Sequence, residues 1–175
     1  MACSSRRPSP SKDAMARTAT FCLRFAMAVI ALASATLSFA QTAQDVAVIV
    51  HPKNTVDNLT MADLAKIFRG ERQYWRSNLP VLVLLRSSGS HEREVLLRNV
   101  FHMTESEYKQ YWVSKIMRAE ATSPPTDLYS NGMAKEGVAS IPGSIACISA
   151  ADLRPGVKVV RINGHLPGEP GYPLH

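Results

Sequence analysis

The stretch LPVLVLLRSSGSHEREVLL, Leu79 to Leu97, decides how the rest of the chain is read. Its first seven residues are apolar and predict a buried strand. Arg86-Ser-Ser-Gly-Ser90 then reads as a turn, with Gly89 supplying backbone freedom and Ser88 or Ser90 placed to cap a helix. Val95, Leu96, Asn99 and Val100 recur at helical spacing and predict that helix through about His102. Strand, turn and helix in that order bring backbone N–H groups beside a guanidinium, an arrangement that suits an anion. The same residues also suit a plain helix cap with Arg86 solvated, and composition leaves both readings open.

Working outward, strands and helices alternate. DVAVIV (45–50) is β-branched and predicts a buried strand, and LTMADLAKIFRG (59–70) predicts a helix capped by Thr60 and ended by Gly70. After the central stretch, Thr104 and Glu107 have the spacing of a capping box, with Tyr108, Tyr111, Trp112, Lys115 and Ile116 at helical intervals behind them. These aromatic residues are expected in the core. Pro124-Pro125 stops that helix. TDLYSNGMAKEGVAS (126–140) predicts a weaker helix interrupted at Asn131-Gly132, and SIACIS and GVKVVRI each predict a strand. Residues 163–175, rich in Gly and Pro, predict an irregular and partly mobile tail. The alternation implies an α/β domain with a mixed, mostly parallel sheet flanked by helices, spanning 41–162. In open sheets of this kind ligands gather at the carboxyl ends of strands, where Arg86–Ser90 falls.

The N-terminal region reads differently. Arg6, Arg7, Lys12, Arg17 and Arg24 stand against Asp13 alone, ahead of the uncharged run Phe25–Phe39 and the small-residue pattern Ser38-Phe39-Ala40. This is the pattern of a signal peptide over 1–40, cleaved near Ala40, with Met15 an alternative start. The apolar run is shorter than the roughly 20 residues a spanning helix needs, so no membrane span is expected in the mature chain. These basic residues account for most of the net charge of +6, and the remainder is near neutral, which removes the case for nucleic acid. With 46% apolar and 19% charged residues, the chain has the balance of a folded domain. Cys3 and Cys22 fall in the signal segment. Cys147 alone remains, too few for an intrachain disulfide, and a small buried apolar role suits it.

Other constellations carry little chemistry. HEREV places Val95 where a zinc-protease motif needs its second histidine, and the five histidines lack ligand spacing, so no metal or cofactor is expected. No nucleophile, base and orienter can be picked out, and no G-x-S-x-G elbow occurs, so an enzyme is the least supported class. Asp127, Glu136 and Asp152 read as surface charges. Trp75, in the polar connection ERQYWRSN, is placed to pack onto the sheet.

Three segments, in order, carry a resemblance. LTMADLAKIFRGERQYW, VLVLLRSSGSHE and VASIPGSIACIS resemble the corresponding segments of the phosphate-binding proteins that serve ABC transporters, members of the type-2 periplasmic-binding-protein superfamily. The resemblance runs from about Val46 to Val160 and covers one lobe, whereas the family closes two lobes around its anion. It implies a single lobe of that fold, a non-enzymatic role, a periplasmic location, and phosphate or another small oxyanion as ligand. By position it makes Arg86 the anion-binding arginine and Ser90 the anion-binding serine; on the residues themselves, Ser88 offers a further hydroxyl, and Gly89 lets the N–H groups of Ser90, His91 and Glu92 converge on the same anion. His91 stands where the family has glycine, and Glu92 where it has threonine. The second change removes a donor hydroxyl and adds a carboxylate able to repel an anion or to occupy Arg86. Two roles are implied: a solute-binding protein that holds an oxyanion weakly, or a ligand-free docking or sensory accessory of an envelope transporter or sensor.

Overall fold

The computed structural model describes residues 44–175; the segment read as a signal peptide, with Cys3 and Cys22, lies outside them. Strand β1 (Val46–Val50) is buried at every position, which explains its unbroken apolar run: both faces of the sheet are covered there. Its neighbours are β5 (Ser144–Ser149) and β6 (Lys158–Val159), both antiparallel to it. On the far side of β5 lie β3 (Leu82–Arg86) and then β4 (Thr126–Leu128), paired in parallel. The five-stranded sheet therefore runs β4-β3-β5-β1-β6 and is mixed, with its parallel pairs on the side that carries the central turn. Alternate residues of β1 and β5 feed two cores. Val46, Val48, Val50, Ile145 and Cys147 face the larger one, and Ala47, Ile49, Ala146 and Ile148 the smaller.

The larger core is covered by α1 (Met61–Phe68), α2 (His91–Leu96) and α3 (Glu105–Met117). Thr60 caps α1, its hydroxyl accepting from the Asp63 N–H at 3.1 Å. Thr104 and Glu107 form the reciprocal capping box of α3. Helix α2 runs on as a wider turn, Leu97–Phe101, and stops at His102, whose φ of 55° is left-handed. The expected inward stripe is buried at Val95, Leu96 and Val100. Tyr108 and Trp112 join the core, while Tyr111 is half-buried and Ile116 exposed. Trp75 packs inside and donates its indole N–H to the Gly143 carbonyl at 2.7 Å.

Three expectations need revision. Residues 126–140 are not one interrupted helix: 126–128 form β4, and α4 (Asn131–Ser140) starts at the supposed interruption. Ser130 caps it by accepting from the Met133 N–H, so Asn131-Gly132 form its first turn rather than a break. Helix α4 lies on the smaller core, and Gly137 permits the close approach, since a Cβ there would meet Leu84 Cδ1 at 3.0 Å. GVKVVRI is split as well. Val160 is buried between β6 and β7 (Arg161–Ile162), and β7 leaves the main sheet to pair with β2 (Asn58–Leu59). The tail is irregular but held. Tyr172 donates its hydroxyl to the Val46 carbonyl at 2.6 Å, the Val46 N–H donates to the Leu174 carbonyl at 2.8 Å, and both tail side chains are buried.

Candidate functional site

The parallel strands β3, β4 and β5 all end at one edge, which brings together segments far apart in sequence. Arg86 closes β3 and, across Arg86–Leu128 pairing, faces the end of β4. The turn after it is built as its residues dictate. The Ser87 carbonyl accepts from the Ser90 N–H at 3.2 Å, and Gly89 takes a φ of 82°, in the left-handed region where a side chain is strained. Ser90 then caps α2, its hydroxyl oxygen accepting from the Arg93 N–H at 3.3 Å. Ser88 and Gly89 are exposed, so the turn opens to solvent.

Each expected site residue can be placed on this frame. Arg86 is nearly buried; one terminal N–H donates to the Leu128 carbonyl at 2.8 Å, and its Nε is buried without a hydrogen-bond partner. Glu92 is also buried and its carboxylate lies 3.7 Å from that Nε. Ser90 is partly spent on the turn, since its N–H serves Ser87 and its oxygen serves Arg93. The N–H groups of His91 and Glu92, in the first turn of α2, have no acceptor within the helix. The His91 ring points elsewhere, its Nε2–H donating to the Gln44 carbonyl at 2.8 Å. Ser88 is exposed, on the same turn.

The fold adds residues that sequence reading passes over. Asn131, in the first turn of α4, donates through Nδ2 to Glu92 at 2.9 Å and to Asp152 at 2.6 Å, while its Oδ1 is buried without a partner. Lys135 donates to the Asp152 backbone carbonyl at 3.0 Å. Asp152 is thus half-buried and engaged, not a free surface charge. Asp127 is likewise paired, at 3.1 Å from Arg93. Arg93 itself is buried, donates through Nε and a terminal nitrogen to both Glu105 oxygens at 3.2 and 3.1 Å, and lies 4.3 Å from the centre of the Tyr108 ring. Burial acts to raise the Glu105 carboxyl, but hydrogen bonds from Arg93 and Ser88 and the charges of Arg93 and Lys109 outweigh it, leaving it below the usual range. Cys147, on the sheet beneath, is wholly buried, and burial together with the Glu92 charge pushes its thiol far up, which makes it inert.

Two further observations bound the site. A broad groove, lined by Tyr74, Leu82, Trp112 and Pro124 among others, includes none of residues 86–92. Among the described residues, no three His, Cys, Asp or Glu gather as a metal-ligand set, and no helix is long and apolar enough to cross a membrane.

A family model described as a PBP superfamily domain matches residues 6–165. Among solved structures, an ABC-type phosphate transport receptor from Vibrio cholerae matches with a TM-score of 0.57 and 19% identity, over 70% of this chain and 48% of that one. A Clostridium perfringens protein assigned as a phosphate ABC transporter substrate-binding protein, solved with bound phosphate, matches with a TM-score of 0.57 and 22% identity, over 70% and 46%. PstS from Borrelia burgdorferi matches with a TM-score of 0.54 and 20% identity, over 70% and 49%. At these identities the likeness is one of fold. The chain spans about half the length of these relatives.

Proposed function

The chain belongs to the PBP superfamily, and from that membership we propose that it is an exported, non-enzymatic, solute-binding-like protein of the cell envelope that holds phosphate or a similar small oxyanion weakly at Arg86 and the Ser88–Glu92 turn. One observation carries the reading: Arg86 ends a parallel strand with its Nε buried and unpartnered, beside first-turn N–H groups that have no acceptor in their own helix. A guanidinium with an unused donor matches a tetrahedral oxyanion. Relatives of the same fold carry phosphate in their names, which favours that anion as the first to test. The affinity is low for two reasons. A turn open to water gives each charge-assisted hydrogen bond less than a closed cleft would, and Glu92 sits beside the guanidinium. Export rests on the reading of residues 1–40 as a signal peptide.

The test is calorimetric titration of the chain with phosphate, sulfate and a simple carboxylate. Weak heats for the oxyanions, abolished in Arg86→Ala, are expected. Folded protein that gives no heat with millimolar anion overturns the reading. A second reading, a ligand-free docking or sensory accessory of an envelope transporter, is favoured by the Arg86–Glu92 contact, and it is what that silent titration would leave standing.

A further inference from the structure

We infer that Glu92 is a built-in competitor for the cradle: its carboxylate lies beside the guanidinium of Arg86 without bonding it, and its charge sets how strongly the site takes a free oxyanion. The inference rests on the reading of Arg86 as anion-binding, and it deepens that reading by naming the residue that limits it.

Glu92 is held from behind, not by Arg86. Its hydrogen bond comes from Asn131 Nδ2 at 2.9 Å, while Arg86 Nε stands off at 3.7 Å and makes no hydrogen bond at all. A carboxylate placed to maximise an ion pair would take the free Nε–H in a fork. Here α4 sets the position of the carboxylate, and the guanidinium gains a near charge without spending its donor. Asn131 is fixed in turn by Asp152 at 2.6 Å. Two carboxylates on one amide nitrogen would repel each other without nearby positive charge. Arg86 supplies it on the Glu92 side, and Lys135, bonded to the Asp152 backbone, on the other. The Arg154 guanidinium, on the Ala151 and Leu153 carbonyls, adds to the positive charge near Asp152, whereas the Cys147 thiol lies beneath and the His91 ring is turned to Gln44.

Glu92 is 6% exposed, so water screens it little. Its charge therefore acts on the region around Arg86 at nearly full strength, both cancelling the guanidinium and repelling an incoming anion. A neutral residue at this position keeps the turn, the Ser90 cap and the Arg86 donor while removing both effects. Glu92→Gln is the closest such change because its side-chain oxygen still accepts from Asn131.

The experiment compares wild type, Glu92→Gln and Glu92→Thr by calorimetry with inorganic phosphate, with near-UV circular dichroism to verify packing. The second variant serves if the first does not fold. Removing the carboxylate that lies 3.7 Å from the guanidinium is expected to tighten phosphate at least about tenfold, and adding Arg86→Ala to abolish the gain. Equal affinity in wild type and folded variants overturns the inference but leaves Arg86 as an anion site. No binding by any folded protein overturns both. A merely structural ion pair would cost stability on substitution and yield no gain in binding.

Discussion

Arg86 and Arg93 lie seven residues apart on either side of one turn, and each faces carboxylates, yet they are used in opposite ways. Arg93 spends its donors on Glu105, Asp127 and the Arg86 carbonyl and stacks on Tyr108. Among the described residues, Arg86 donates to Leu128 alone and leaves Nε idle beside a carboxylate that does not bond it. A guanidinium whose geometry is filled ties elements together; one left unfilled retains the capacity to take a ligand. Here the filled one links α2, α3 and β4, and the unfilled one stands at the strand ends.

The sharpest way to break this contrast is truncation of each arginine. Arg93→Ala leaves two carboxylates without their partner and removes packing from Tyr108. Because Asp127 is 51% and Glu105 30% exposed, the cost is set below that of a fully buried pair, at about 2–3 kcal/mol. Urea unfolding should show it as a lower midpoint. Arg86→Ala loses one hydrogen bond and leaves the buried Glu92 carboxylate without its neighbouring charge, so its cost is of the same order, about 2–3 kcal/mol. The two variants should differ in binding: loss of phosphate binding in a folded Arg93→Ala as well as in Arg86→Ala would contradict the division of labour.

The turn between them offers a smaller effect. Gly89 has no atom within 4 Å of a built Cβ, so Gly89→Ala meets no clash and reports conformation alone. With φ at 82°, the substitution is expected to cost about 1 kcal/mol and to weaken any anion binding at Arg86, while the Glu105 contacts of Arg93 persist. Thermal unfolding alongside phosphate titration measures both. A stable variant with unchanged binding would show that the turn's shape does not matter to Arg86.

The same contrast explains what is legible in the chain before it folds. Thr60 with Asp63, Thr104 with Glu107, and the fully apolar β1 are local signals, written within a few residues of the feature they specify. Arg86, Gly89 and Ser90 are legible for that reason, as parts of one turn. Asn131 and Asp152 are not, because only the parallel sheet brings their segments beside β3, from 39 residues along the chain in the case of Asn131 and Glu92. Arg93 is hidden by its setting in an amphipathic helix, where a charged residue beside Glu92 and Glu94 looks solvated. Asp127 has half its surface exposed and gives no sequence sign of the arginine it serves. The break of 126–140 into β4 and α4 is hard to read because Asn131-Gly132 disrupts a helix in its middle but suits its first turn.

The smallest effect concerns acid. The Glu105 carboxyl lies below its ordinary range in the folded protein, so folding favours its ionised form. That contribution is complete above the unfolded value near 4.5 and fades as pH falls through the depressed folded value. Glu105→Gln lacks it. The variant should be less stable than wild type at neutral pH by about 0.5 kcal/mol, a modest sum because the carboxylate keeps contact with water. Once the pH is below the depressed folded value, both proteins carry an uncharged group at this position, and their unfolding midpoints should converge. A constant difference down to that pH would mean that Glu105 serves Arg93 by packing and not by charge. The distinction between the two arginines would then rest on burial, with Arg86 12% exposed against 2% for Arg93, and no longer on how their charges are paired.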